Sequence, residues 1–143
     1  ISLGLVGSEM CIRDSYNCRT GVMDYTNAGH NPPSILRRNR SAAYLPVASN
    51  FVVGVFDDIE FESNTLEFGV GDTLLLYTDG VTEAFNDKRE QFSEGKLQEV
   101  LGALQEDTSA KEVVTQVLHS VRAFSGDYPQ SDDITLLSLQ RIR

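Results

Sequence analysis

Residues 66–84 read LEFGVGDTLLLYTDGVTEA, and the transition inside that stretch decides the fold. Val70-Gly71-Asp72 is a turn signal. Behind it the apolar run Leu74, Leu75, Leu76 and Tyr77 drives straight into Thr78-Asp79-Gly80. The pattern predicts a buried strand over Thr73 to Thr78, which delivers one carboxylate to its own C-terminal end. Asp-Gly after an apolar run is also a common hairpin turn, because glycine accepts positive φ and aspartate bonds back to nearby backbone. The residues beyond Gly80 argue against a simple hairpin. Val81 to Phe85 is not another alternating strand, and the chain soon becomes charged at Asn86-Asp87-Lys88-Arg89-Glu90.

Upstream of this stretch the chain reads as strands. Thr20 to Thr26 can form one, and Asn27-Ala28-Gly29-His30-Asn31-Pro32-Pro33 then makes a dense loop. Ser34 to Arg38 and Ala42 to Val47 read as a hairpin around Asn39-Arg40-Ser41. Ile59, Phe61 and Ser63 alternate with Glu60 and Glu62, the pattern of a half-buried strand. Downstream the period changes. Leu97, Val100, Leu101 and Leu104 fall on one helical face. A second helix starts at Ser109, where Glu112 three residues on makes a capping box, and its stripe is Val113, Val114, Val117, Leu118, Val121 and Phe124. His119 falls off that stripe and reads as a surface residue. Ile134 to Leu139 reads as a closing buried strand. Strands, then helices, then one strand predict an α+β layer architecture.

Composition narrows the function classes. A chain of 143 residues is one domain or part of one. Its net charge of −9 disfavours a nucleic-acid partner. The basic cluster Arg37-Arg38-Asn39-Arg40 reads as a solvated hairpin tip. No run approaches the roughly eighteen apolar residues of a membrane span, so no membrane insertion is expected. Cys11 and Cys18 form no disulfide framework, and the chain reads as cytoplasmic. Residues 1–15, ISLGLVGSEMCIRDS, begin without methionine and show no sustained helical or strand period. They resemble adapter or vector read-through, with a genuine linker as the alternative. They read as a non-native leader outside the fold, and residues 16–143 as the domain portion.

A second acidic feature precedes the closing strand, at Gln130-Ser131-Asp132-Asp133-Ile134-Thr135. Two carboxylates there are ordinarily a solvated strand start. If this strand neighbours the one ending at Asp79, and the two run antiparallel, the acidic ends meet. Hard oxygen ligands without nearby His or Cys select Mg²⁺ or Mn²⁺ rather than Zn²⁺. Paired ions of this kind lower the pKa of a bridging water and clamp an oxyanion such as phosphate.

YTNAGHNPP at 25–33, VVGVFDD at 52–58, GDTLLLYTDGVTEA at 71–84 and SDDITLL at 131–137 succeed one another in a telling order. From about Tyr16 to Arg143 the chain resembles the C-terminal part of a bacterial metal-dependent protein serine/threonine phosphatase domain. The branch is the stage II sporulation protein E-like and sigma-factor-regulator branch of the PPM family. The resemblance implies part of an α-β-β-α sandwich, two antiparallel sheets flanked by helices, with two Mg²⁺ or Mn²⁺ ions in the complete domain. Metal-activated water, and no side chain, would attack the phosphoserine or phosphothreonine. By motif, Asp79 and Asp132 match metal ligands. Asp133 stands where the family has Asp or Asn and is expected to orient the site, while Gly80 permits tight backbone approach. The loop around His30 is a family marker, with His30 expected to hold it by hydrogen bonds.

The departures from the family carry their own expectations. The family takes further ligands from an N-terminal Asp-x-x-Gly motif, whose only candidate here is Asp14 inside the leader. The N-terminal strands and helices are therefore expected to be missing, and this chain to be a fragment with little activity alone. Exposed strand edges and a partly uncovered Val113–Val121 stripe would make it marginally stable or prone to aggregate. Ser93 replaces the commoner glycine after Phe92 and should affect a turn only. The implied substrate is a phosphoprotein, in this branch an anti-sigma-factor antagonist, with a sensory domain preceding the phosphatase. The alternative is a non-catalytic binding module on a degenerate phosphatase fold.

Overall fold

A computed structural model describes residues 2–6, 11–39, 41–48 and 60–143, with side chains described from Ser15 onward. Arg40, Ile59 and the VVGVFDD segment at 52–58 lie outside the described residues. The chain is α+β, as expected. Two four-stranded antiparallel sheets carry eight strands, and three helices accompany them among the described residues. The chain divides into two compact units, residues 1–32 with 45–69, and residues 33–44 with 70–143.

The first unit is a sheet in the order β1 (Ser2–Val6), β2 (Cys11–Asn17), β3 (Val22–Ala28), β6 (Asn64–Glu67). Residues 2–6 and 11–15, read as outside the fold, pair here as strands, with Leu3 opposite Asp14 and Asp14 opposite Tyr25. Backbone ladder bonds need no side-chain period, and β2 pairs along the side of β3 that β6 does not occupy. The strand expected around Ile59–Ser63 is corrected as well. Glu60 to Ser63 are not in a strand, and pairing begins at Asn64 opposite Tyr25. Met23 and Leu66 face one another across the β3–β6 pair and are both buried.

The second unit holds the sheet β5 (Ala42–Tyr44), β4 (Ser34–Leu36), β7 (Thr73–Tyr77), β8 (Leu136–Gln140) and the helices α1 (Asp79–Thr82), α2 (Ser93–Gly102) and α3 (Ala110–Ser125). Every residue of β7 is buried, which is why its sequence runs apolar without alternation. Leu75 and Tyr77 join Val81, Leu97, Leu101, Val113, Val117 and Val121 in one cluster. The centre of the stripe is closed, with Val113, Val117 and Val121 at most 1 % exposed, while Val114, Leu118 and Phe124 at its margins are half-buried, so it is partly uncovered as expected. Helix α3 starts at the predicted capping box, in which Ser109 accepts from the Glu112 N–H while Glu112 accepts from the Ser109 N–H. His119 is exposed.

Three expectations shift in this unit. Strand β8 begins at Leu136, two residues later than read from Ile134, and it is half-buried because it lies at the end of the sheet order. The Arg37–Asn39 tip is not merely solvated, since Arg37 Nη1 meets the buried Asp72 carboxylate at 2.7 Å and the Arg38 N–H donates to the same group. Ser93 has φ of +68°, the left-handed region that favours glycine. Among the described residues no helix is long and apolar enough to cross a membrane.

Candidate functional site

Strands β7 and β8 are antiparallel neighbours, with Tyr77 opposite Leu136. The residue after Tyr77 and the residue before Leu136 extend this ladder by side chain as well as backbone. The Thr78 N–H donates to the Thr135 carbonyl at 3.1 Å. The Thr78 hydroxyl accepts from the Thr135 N–H at 2.9 Å and donates to the Asp133 carbonyl at 2.7 Å. The C-terminal end of β7 and the approach to β8 are thus fastened together. The chain segments that carry the acids meet, as the antiparallel condition required.

Asp79 opens α1 rather than a hairpin. Thr78 is extended at the N-cap, with φ −85° and ψ 160°, and Val81, two residues beyond Asp79, packs into the core. One oxygen of Asp79 accepts from the Gly80 N–H at 2.9 Å, and the carboxylate is half-buried. Asp132 and Asp133 are exposed. One oxygen of Asp132 accepts from the Asp133 N–H at 2.6 Å, and its carbonyl accepts from the Gln130 side chain at 2.8 Å. Each of Asp79 and Asp132 so commits a single oxygen to a neighbouring N–H.

Gly80 is where the two segments cross. A Cβ there would come 2.6 Å from the Asp133 carbonyl oxygen and 3.0 Å from that of Asp132. Both are backbone atoms that no rotamer change can move aside, so only glycine fits. Asp133 enters the arrangement through its main chain, and among the described residues its carboxylate accepts no hydrogen bond. Thr78 and Ser131 were given no role from sequence. Ser131 donates to the Glu83 carbonyl at 3.3 Å, which ties the Asp132 segment to the end of α1. A hydroxyl residue directly before each acid was the available signal.

The loop at 27–31 is held differently from the expectation for His30. Buried Asn27 accepts from the His30 N–H and donates to the His30 carbonyl, each at 2.8 Å. Among the described residues the His30 ring reaches only the neighbouring Asn31 carbonyl, at 3.3 Å. Asn27 closes the loop.

The donors at Asp79 and Asp132 are hard oxygens, the type that suits Mg²⁺ or Mn²⁺. In number they fall short. Among the described residues no group of three or more His, Cys, Asp or Glu is placed to hold a metal ion. Two carboxylates supply part of one ion's coordination and do not amount to a two-ion centre.

The architecture is that of PP2C-type phosphatase domains. Superposition on the SiaA-PP2C domain of Pseudomonas aeruginosa gives a TM-score of 0.73 at 19% identity, covering 95% of this chain and 53% of that one. The phosphatase domain of the cell fate determinant SpoIIE from Bacillus subtilis gives 0.69 at 17% identity, covering 100% and 57%. At such identities the likeness is one of fold. Sequence then narrows the class: residues 8–142 match the Stage II sporulation protein E (SpoIIE) family, and the chain belongs to it.

Relatives of known name agree. The chain is 41% identical over 61 residues to phosphoserine phosphatase RsbP of Bacillus subtilis (strain 168), covering 43% of the chain. It is 28% identical over 127 residues to phosphoserine phosphatase RsbU of the same strain, covering 89%. Protein IcfG of Synechocystis sp. (strain ATCC 27184 / PCC 6803 / Kazusa) is 31% identical over 123 residues, or 85% of the chain. The chain spans 15%, 37% and 19% of these three relatives, respectively.

Proposed function

We propose that the chain is the C-terminal portion of a metal-dependent protein serine/threonine phosphatase domain, and that Asp79 and Asp132 are metal ligands within it. The observation that carries this is the crossing at Gly80, which fastens the two acid-bearing strand ends to each other in a member of the SpoIIE family. Mg²⁺ or Mn²⁺ fits the donor type, and structures of relatives include a manganese-soaked SpoIIE phosphatase domain and RsbX in complex with magnesium. When bound, such ions supply an activated water and a clamp for phosphate. This chain's residues hold the ligands in place: Thr78 and Ser131 fix the two segments, and Gly80 with the Asp133 main chain sets their separation.

The remaining ligands come, in this reading, from a segment outside the described arrangement, and the 143-residue chain by itself turns over little or no phosphoprotein. The substrate is a phosphorylated regulator of the anti-sigma-factor antagonist type. A sensory domain precedes the phosphatase in the whole protein, which works in the cytoplasm.

Manganese tests the ligand assignment directly. Added to the ¹⁵N-labelled chain, Mn²⁺ should broaden the amides of residues 79–83 and 131–134 first, and Asp79→Asn or Asp132→Asn should abolish that pattern. Broadening spread evenly over the acidic surface, or unchanged in Asp79→Asn, would sink the assignment. Weak phosphatase turnover by the wild-type chain, lost in Asp79→Asn, would overturn the expectation of inactivity while keeping the site.

A further inference from the structure

A cavity of about 190 Å³ lies between α1, the last turn of α3 and the segment 125–134 that carries Asp132. Gly80 and Ser131 line it, and each is the immediate neighbour of a candidate ligand, so the cavity adjoins the acidic strand ends. Its walls mix apolar and polar groups, with Ser125 and Gln130 beside the hydrophobic side chains. Val121 and Ile134 contribute, and the rings of Phe85 and Tyr128 lie 6.2 Å apart. Arg122 is the one charged residue among the described residues that line it, in a chain of net charge −9. Arg122 is exposed, and among the described residues its guanidinium makes no ion pair.

A small cavity with hydrophobic rings on one wall and one unpaired cation suits a side chain that has both an aliphatic stem and a terminal negative charge. Phe85 and Tyr128 would cover the stem while Arg122 receives the carboxylate, in the bidentate manner that guanidinium favours. The cavity's neighbours at Gly80 and Ser131 put that side chain next to the segment where a phosphorylated residue would be processed. We propose that this cavity is a substrate-recognition subsite for a glutamate close in sequence to the phosphorylated residue, with Arg122 as its specificity-determining residue. The inference rests on the phosphatase reading for the identity of the occupant.

The test uses the 143-residue chain with Mn²⁺ and a series of phosphoserine peptides. Each peptide carries one glutamate, or a glutamine in its place, at one of the positions flanking the phosphoserine. Binding is tracked by ¹⁵N shifts. At one position the glutamate peptide should bind on the order of threefold tighter than its glutamine twin, the size of a partly exposed ion pair. The shifts should include Ala84, Gly126 and Ser131. Arg122→Gln should erase the preference, and Arg122→Lys should restore part of it. Equal affinities at every position, a preference that survives Arg122→Gln, or no shift of the cavity amides at millimolar peptide would each overturn the subsite. The unphosphorylated peptides separate the two ideas. A glutamate preference without phosphate or Asp79 dependence keeps the subsite and removes the phosphatase reading. Phosphate-dependent binding without a glutamate preference does the reverse.

Discussion

Replacing Gly80 by alanine adds a single methyl group at a crowded backbone crossing. The new Cβ would meet the Asp133 carbonyl oxygen at 2.6 Å and the Asp133 carbonyl carbon and Asp132 oxygen at 3.0 Å. Ordinary carbon–oxygen contact needs more room, so either α1 or the 131–134 segment must retreat. Retreat stretches the Thr78 hydroxyl bonds at 2.7 and 2.9 Å and the Thr78 N–H bond at 3.1 Å. Overpacking of this kind costs about 1–3 kcal/mol. The helix preference of alanine over glycine returns at most about 1 kcal/mol, and less in a four-residue helix. With a urea dependence of about 2 kcal/mol/M, a net loss near 2 kcal/mol lowers the unfolding midpoint by about 1 M. Gly102→Ala is the control, because nothing lies within 4 Å of a Cβ there, and it should leave the midpoint unchanged or raise it. The amides of Asp133 and Thr135 should move in Gly80→Ala and stay in Gly102→Ala. A Gly80→Ala chain with the wild-type midpoint and unshifted amides would refute the reasoning.

Ser93→Gly should stabilise the chain by about 0.5–1 kcal/mol in urea unfolding, because a serine at φ +68° bears a left-handed strain that glycine does not, partly offset by glycine's greater freedom when unfolded. A lower midpoint would show that Ser93 contributes something beyond backbone geometry. At the start of α3, hydrogen bonds from the Ser109 hydroxyl and N–H hold the Glu112 carboxyl below its usual range. Its folded pKa is depressed, so the contribution of this cap is complete above the ordinary carboxylate range and fades as pH falls through the folded value. In a carbon-detected titration Ser109→Ala should move the Glu112 pKa up toward that of a free glutamate, and an identical value in both proteins would contradict the cap.

Much of the second unit was legible because its sequence signals were also its energetic ones. The unbroken run Leu74–Tyr77 is apolar because β7 is buried throughout, and the Ser109–Glu112 box and Val113–Val121 stripe mark a helix whose one face packs in the core. The approach of the segment after β7 to the segment before β8 came from strand order, which sequence could state only as a condition. What stayed hidden depended on backbone. Residues 2–6 and 11–15 join a sheet through main-chain bonds that leave no side-chain period. The alternation over Ile59–Ser63 promised a strand, yet pairing starts at Asn64, where β3 supplies a partner at Tyr25. The positive φ of Ser93 and the role of Asn27 in closing the His30 loop are likewise conformational facts that composition does not carry.

The Thr78 hydroxyl has a consequence for how the site can fail. Because it bonds Thr135 and Asp133 at once, the pairing of β7 with β8 and the separation of Asp79 from Asp132 are one variable. A slip of β8 by two residues would keep every side chain on its own face of the sheet. It would nevertheless shift the two acids by about 7 Å relative to one another along the strands. The alternation of faces alone does not distinguish these alignments. One threonine hydroxyl and one absent Cβ do, so these contacts proofread the strand alignment at the ends that carry Asp79 and Asp132.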